Sequence, residues 1–356
     1  MSYHHIDKGI EYMMKSPNPH VTMEFQGGEA LLAFEKIQYA VEKAEVESEK
    51  LNKTLTIVIC TNLAIVTEEI LNYCKAHNIL ISTSLDGPKN VHDHNRNKPK
   101  ASSYEHAING IELSRKILGY DQVSALMTTT KYSLDFPNEI VDEYYDKGFD
   151  GIFLRNISPY GFALRTDKTK YETEKFLDFY KIALNRIIRY NLKGHYFTED
   201  LAKIFLKKML TPFGVGYVDL QSPAGLINGV IVYNYDGGVY ATDESRMLAE
   251  QKDFTFKLGT LEDSYENLYF GEKAMQISEV WANESLTGCS ECAFQQYCGA
   301  DPVHNHATQG DMYGYRPTSD FCEKNMSIIE HLIEVMDSEP HIKEIFESWI
   351  NPRFKN

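Results

Sequence analysis

Four cysteines, Cys289, Cys292, Cys298 and Cys322, crowd into 34 residues with the spacing C-x2-C-x5-C-x23-C. Thiolates are soft ligands that select zinc or iron–sulfur clusters, and the two residues inside the first pair let both sulfurs reach one centre from a tight turn. No histidine stands at ligand spacing, so the set is all-thiolate, and spacing alone leaves zinc and iron–sulfur open. A disulfide scaffold would be small and cysteine-dense throughout. Clustered thiols in a chain of 356 residues point to a metal in a reducing compartment instead. The other two, Cys60 in the apolar run LTIVIC and Cys74 in a helical pattern, read as core or surface thiols.

Charge narrows the partners. Lys and Arg number 36 against 51 Asp and Glu, a net charge of −15, which makes a nucleic-acid backbone or an anionic membrane a poor partner and a basic peptide a better one. With 43% hydrophobic and 24% charged residues the chain is neither disordered nor collagen-like. No apolar run approaches the ~20 residues needed to span a bilayer. The opening Met-Ser-Tyr-His-His-Ile-Asp-Lys has no basic stretch followed by an apolar one, so a cytoplasmic protein is expected. The length suits two domains.

The elements that must position these groups alternate. Strands are expected at Val21–Gln26, Leu55–Cys60, Ile79–Leu85, Val123–Thr129 and Ile152–Arg155, and helices at Ile6–Met14, Leu31–Glu49, Glu68–His77, Tyr104–Leu118 and Asn138–Lys147. Asn90–Ser102 is a polar stretch too long for a simple turn. Strands that end in small or polar residues and feed helices specify a parallel barrel or doubly wound sheet, whose ligands collect at the C-terminal strand ends. Helices follow at Lys170–Lys193 and Glu199–Leu210, then a hairpin over Gly229–Ala241 turning at Asp236-Gly237-Gly238, and a closing helix at Glu323–Met336.

Gly27-Gly28-Glu29 after one strand, Thr61-Asn62 after the next, Ser84-Leu85-Asp86-Gly87-Pro88 after the third, and the cysteine spacing together resemble the radical S-adenosylmethionine (SAM) enzymes with a C-terminal SPASM domain, which modify peptides and proteins. Phe25-Gln26-Gly27-Gly28-Glu29, Ser158-Pro159-Tyr160-Gly161 and the stretch from Asp301-Pro302 to Arg316-Pro317-Thr318-Ser319 further resemble the His-Xaa-Ser system maturases of the B type. The resemblance implies an α/β fold: a partial parallel (β/α) barrel of radical SAM type over residues 1–165, a helical connector over 166–215, a SPASM-like iron–sulfur domain over 216–336 and a tail over 337–356. It implies that Gly27, Gly28 and Glu29 bind the amino group of SAM, and that Asn62 and Ser84 contact its ribose or carboxylate. Arg96 is a candidate to hold a carboxylate. Cys289, Cys292, Cys298 and Cys322 match the ligands of an auxiliary [4Fe–4S] cluster. Asp243 falls where related maturases place an acid that takes a substrate proton. The implied reaction is hydrogen abstraction from a ribosomally made peptide by a 5′-deoxyadenosyl radical, with a sister maturase as partner.

The sequence departs from this pattern in two places. A further auxiliary cluster would need cysteines where Ser222, Thr242 and Pro302 stand. The C-x3-C-x2-C loop that leaves one iron free to chelate SAM does not occur in the 356 residues. Three readings follow: a late start or truncated frame, a separate chain that supplies the missing segment, or a non-catalytic cluster-bearing binding subunit. The retained Gly27-Gly28-Glu29 favours the first. His304 and His306 read as loop histidines, Asp301 as a cap or turn residue, and Tyr217, Tyr233, Tyr235 and Tyr240 as strand-face packing.

Overall fold

The structure is a computed structural model and describes residues 1–161 and 171–351. The chain folds as two compact units, Met1–Met127 and a second from Thr128 onward.

The first unit runs α1 (Tyr3–Met14), β1 (His20–Phe25), α2 (Phe34–Lys50), β2 (Thr54–Cys60), α3 (Glu68–Ala76), β3 (Leu80–Ser84), α4 (Lys89–Asn95), α5 (Ser103–Leu118) and β4 (Val123–Leu126), with a 3₁₀ turn at Ala30–Ala33. The strands form one parallel sheet in the order β1-β2-β3-β4. Buried Ile57, Ile59, Ile81 and Val123 line its faces, and the helices add Ile37, Val41, Leu71 and Ile111. Ile6, Ile10 and Met14 of α1 pack with Val21, Ala40 and Ala44. Side-chain caps start three of the helices: Ser2 accepts from His5 N, Thr67 from Ile70 N and Ser102 from Glu105 N, each worth about 1 kcal/mol.

The sequence pattern found most of these elements and missed α4. No helix is expected within the polar run Asn90–Ser102, but about half of it is helix, because Val91 and His92 are buried (His92 2% exposed) and the His92 Nδ1 accepts from Asp86 N at 3.1 Å. One apolar residue per turn gives no periodic signal. The strand expected to reach Thr129 stops at Leu126, and Thr129 instead makes an isolated parallel bridge with Asn156 inside the second unit.

The second unit contains α6 (Pro137–Asp146), β5 (Gly151–Ile152), α7 (Thr173–Leu192), β6 (Thr198–Glu199), α8 (Asp200–Leu210), β7 (Val232–Tyr233), β8 (Gly238–Tyr240), α9 (Asp243–Ala249), β9 (Lys257–Thr260), α10 (Tyr265–Phe270), α11 (Glu272–Ser278), α12 (Pro302–Gln309), α13 (Asp320–Ser338) and α14 (Pro340–Ile350). β5 pairs in parallel with β6, and β7-β8-β9 are antiparallel. The apolar faces of α7, α8 and α13 bury Phe176, Tyr180, Leu184, Phe205, Leu206, Ile328 and Leu332.

Three local outcomes differ from expectation. The strand over Ile152–Arg155 is cut to two residues, because Leu154 N gives its hydrogen bond to the Glu199 carboxylate at 3.0 Å rather than to a ladder. The expected hairpin forms at Asp236-Gly237-Gly238 and recruits β9 as a third strand. Residues 337–356, expected as a tail, carry α14, whose Ile342, Phe346 and Trp349 share one face and are buried, with Trp349 Nε1 donating to Asn191 Oδ1 at 3.2 Å. Lys170, the expected start of α7, and the domain limit at 165/166 lie outside the described residues.

Candidate functional site

The strand-end corner of the first unit is built by register. Phe25 pairs with Ile59 and Cys60 with Ser82, so β1 and β2 finish side by side and deliver Gly27-Gly28-Glu29 next to Thr61-Asn62. Gly27 has φ +152°, which L side chains rarely adopt, and a Cβ at Gly27 or Gly28 would meet nothing within 4 Å. The two glycines thus leave an open rim of bare backbone. Glu29 braces that rim. Its Oε1 accepts from Thr61 Oγ1 at 2.7 Å and Leu31 N at 3.1 Å, and its Oε2 from Asn62 N at 2.9 Å. A carboxylate has about four acceptor positions, so one is left for a ligand donor.

The other candidates of this unit hold different posts. The Asn62 side chain caps the next turn, its Oδ1 accepting from Ala64 N at 2.8 Å. Ser84 ends β3, half-buried, opposite Leu126. Arg96 holds a carboxylate of its own protein: its Nε and Nη2 grip buried Asp86 at 2.8 and 3.1 Å. Cys60 Sγ lies 3.2 Å from Glu24 Oε1, and Cys74 is fully buried, its thiol pushed up to about 11 by burial.

In the second unit Cys289, Cys292, Cys298 and Cys322 are all free, half-buried and within electrostatic reach of one another. The loop bearing the first three is held from several sides. Buried Asn283 exchanges hydrogen bonds with Gln295 at 2.9 and 3.0 Å, and Lys208 Nζ donates to the carbonyls of Cys298 and Leu220. Cys322 enters from the first turn of α13, its N–H capped by Ser319 at 3.3 Å. Burial raises the thiols of Cys289, Cys298 and Cys322, the last to about 11, and their mutual repulsion adds to it. Arg316 acts the other way on Cys289 and Cys322. Four soft donors, three of them with ionisation opposed by burial, next to a guanidinium, suit a cationic metal centre that holds all four as thiolates. Among the described residues no group of three or more Cys, His, Asp or Glu closes to metal-ion geometry.

A polar pocket in the same unit gathers groups from distant segments, among them Arg155, Tyr160, Asp219, Glu244, Asp301 and Lys324. Gly299 explains how Asp219 arrives: a Cβ there would fall 2.7 Å from the Asp219 carbonyl and Leu220 Cα, so only glycine admits this close passage of two backbones. Burial, then repulsion from Asp301, pushes Asp219 up to about 7. Burial, then Asp219, does the same for Glu244. Asp301 caps α12 as expected, accepting from His304 N at 2.8 Å. The expected loop histidines lie on that helix instead, with His304 Nε2 2.7 Å from Asp320 Oδ1 and His306 Nε2 2.7 Å from Asp253 Oδ2. Asp243 does not line the pocket. It opens α9 and pairs with Arg246 at 3.1 Å, while its neighbour Glu244 faces the pocket. Of the pocket residues, the sequence reads Asp301 as a cap, His304 as a loop histidine and Tyr217 as strand packing, and Ser158-Pro159-Tyr160 only carries the resemblance. Arg155, Asp219, Glu244, Lys324 and Asn325 carry no local signal.

No protein-family model matches the chain. A 142-residue stretch is 30% identical to an uncharacterized protein of Methanothermobacter thermautotrophicus, covering 40% of this chain and 52% of that protein. The radical SAM cyclopropyl synthase TigE of Paramaledivibacter caminithermalis is 27% identical over 152 residues, 42% of this chain and 31% of TigE. The cysteine-type anaerobic sulfatase-maturating enzyme of Clostridium perfringens is 24% identical over 314 residues, 81% of this chain and 78% of the enzyme. The match thus spans about half or less of the first two relatives and most of the third. Among solved structures, native anSMEcpe with bound AdoMet has a TM-score of 0.75 at 18% identity, over 95% of this chain and 91% of that one. Of these relatives, one is a radical SAM cyclopropyl synthase and another a sulfatase-maturating enzyme. The chain shares the fold of anSMEcpe, α/β with a parallel sheet.

Proposed function

We propose that this chain is the SAM-binding and auxiliary-cluster part of a radical SAM/SPASM peptide maturase, of the His-Xaa-Ser system B type. The observation that carries the reading is the open Gly27-Gly28 rim braced by Glu29 at a parallel strand end, in a fold matched over 95% of its length to an AdoMet-bound maturase. The rim offers backbone carbonyls to the SAM ammonium, with the remaining Glu29 acceptor beside them. Asn62 and Ser84 contribute from the ends of β2 and β3, and Arg96 acts through Asp86. Cys289, Cys292, Cys298 and Cys322 hold an auxiliary [4Fe–4S] cluster. Asp243 is kept as the proton acceptor the resemblance implies, which requires it to release Arg246. When bound, SAM and the cluster that reduces it supply the radical that takes hydrogen from the substrate; the protein positions the target bond and excludes water.

The proposed substrate is a ribosomally made peptide, with a sister maturase as partner, in the reducing cytoplasm. The proposed parts are the barrel portion to 165, the connector to 215 and the SPASM-like portion to 336. No helix among the described residues is long and apolar enough to cross a membrane. The C-x3-C-x2-C loop is not among these 356 residues, so the polypeptide of residues 1–356 is proposed to be inert until that loop is supplied from outside them, on the same chain or another. The same fact supports a second reading, a non-catalytic cluster-bearing binding subunit.

Anaerobic purification of residues 1–356, with iron, sulfide and zinc quantified and the reduced sample examined by EPR with and without SAM, tests the proposal. About four irons and four sulfides per chain are expected. About one zinc without sulfide overturns it. Turnover of a peptide after addition of a C-x3-C-x2-C-bearing segment separates the maturase from the binding subunit.

A further inference from the structure

The polar pocket of the second unit carries two groups that its own protein leaves unsatisfied. Among the described residues, the hydroxyl of Tyr160 (5% exposed) and the Oδ1 of Asn325 (1% exposed) have no hydrogen-bond partner. Both line the pocket. Buried polar atoms are nearly always paired, and two on one cavity wall mark a place where something else supplies the bond. The cavity of about 50 Å³ admits a few waters or the head of one side chain.

The charges decide what kind of head. Three carboxylates, Asp219, Glu244 and Asp301, face two cations, Arg155 and Lys324. Arg155 is engaged by Glu244 at 3.6 Å, and Lys324 Nζ donates to Asn156 Oδ1 at 3.0 Å. His304 is tied to Asp320, outside the pocket wall, at 2.7 Å. Asp301 accepts from His304 N, while Asp219, with no hydrogen bond to its carboxylate among the described residues, is acted on by burial, by Asp301 and by the charges of Arg155, Lys324 and His304. With its three carboxylates ionised and His304 balanced by Asp320, the wall carries one more negative group than positive, and its open positions, Asn325 Oδ1, the Asp219 carboxylate and the Tyr160 hydroxyl oxygen, can all accept. An anionic guest would add to the repulsion among the three carboxylates.

We infer that this pocket receives the protonated head of a basic peptide side chain, an ammonium, guanidinium or imidazolium, with Asp219, Asn325 Oδ1 and the Tyr160 hydroxyl oxygen accepting its N–H groups. The inference rests on the peptide-substrate reading above and assigns that site its charge preference. The upward push on Asp219 and Glu244 fits it, since both carboxylates bind protons readily until a cation takes their place.

The experiment uses the anaerobically purified chain and short fluorescent peptides of one sequence, differing at a single central residue: Lys, Arg, His, Gln, norleucine or Glu. Fluorescence anisotropy is expected to give the protonated peptides an affinity at least roughly tenfold above the Gln peptide. Asp219→Asn and Tyr160→Phe should lower the cationic affinities toward the Gln value and leave the Gln value alone. Glu272→Gln, on the exposed face of α11, should change nothing. Equal affinities across the series in the wild-type chain, as from a pocket that holds only water, overturn the inference without any variant. So does tightest binding of the Glu peptide, or a cationic preference that survives in both pocket variants when thermal melts show them folded. Iron and sulfide in the same preparations separate the failures: a cationic preference in a chain with zinc and no sulfide keeps the pocket and sinks the maturase.

Discussion

Two carboxylates that both cap a helix or turn, Glu29 in the first unit and Glu199 in the second, are built alike and behave differently. Each accepts from backbone N–H groups just ahead and from one hydroxyl: Glu29 from Leu31, Asn62 and Thr61, Glu199 from Leu201, Ala202, Leu154 and Tyr180. Glu29 is half-buried at an open rim, while Glu199 is wholly buried. Burial pushes Glu199 up to about 7 despite four donors that favour its ionised form. Asp219, without donors, is pushed to about the same place. Deep in a protein, the cost of removing a charge from water outweighs several good hydrogen bonds. At a rim the same hydrogen bonds serve as architecture and leave the carboxylate available.

The largest effect is expected where soft ligands act as a set. Cys298→Ser should drop iron from about four per chain to below one, while Cys60→Ser leaves it unchanged; iron and sulfide assays on the two variants check this.

Next comes the buried carboxylate. Glu199 has a folded pKa raised above its unfolded value near 4.5, so its protonated form stabilises the fold below that value, and the contribution is lost as pH rises through about 7. About 3 kcal/mol should disappear between those limits. Denaturant melts across that range should show the fall, with Asp219 and Glu244 acting in the same direction. Glu199→Gln should flatten the slope.

At the rim, Glu29→Ala removes two hydrogen bonds that join the ends of β1 and β2 and a third that caps its own turn, and should cost about 2 kcal/mol in the same melts. If it cost nothing, the rim hydrogen bonds would not be architecture and the contrast with the interior would fail. The smallest effect is expected at Asp243→Asn. It loses a half-exposed i,i+3 pair with Arg246, while Thr242 and Ser245 keep the capping box, so stability should move by no more than about 0.5 kcal/mol. A large loss of turnover at unchanged stability would then mark a chemical role.

Legibility followed periodicity. β1, β2, β3 and α2, α3, α5, α7 and α13 were readable because their apolar residues repeat with the period of the element and end at glycine, polar or capping residues. α4 and β6 were not, since each is held by particular hydrogen bonds from residues elsewhere in its unit rather than by a repeating face. α14 has a readable face in Ile342, Phe346 and Trp349, though it is short and follows a proline. The Gly27-Gly28-Glu29 corner was visible because it is contiguous. That Glu29 ties down Thr61 and Asn62 depends on strand register.

By itself the sequence determined an alternating α/β chain with a parallel sheet, a bare-backbone strand end and an all-thiolate donor set, because each is written in neighbouring residues or short spacings. Only the tertiary structure decided that Arg96 is taken by Asp86, that Glu244 rather than Asp243 faces the pocket, and that Asp219, Asp301, Tyr160 and Asn325 share one cavity. Those residues come from segments up to 165 positions apart (325 − 160). Their meeting rests on close backbone passages such as that at Gly299 and on buried helix faces, which no local pattern of residue types encodes.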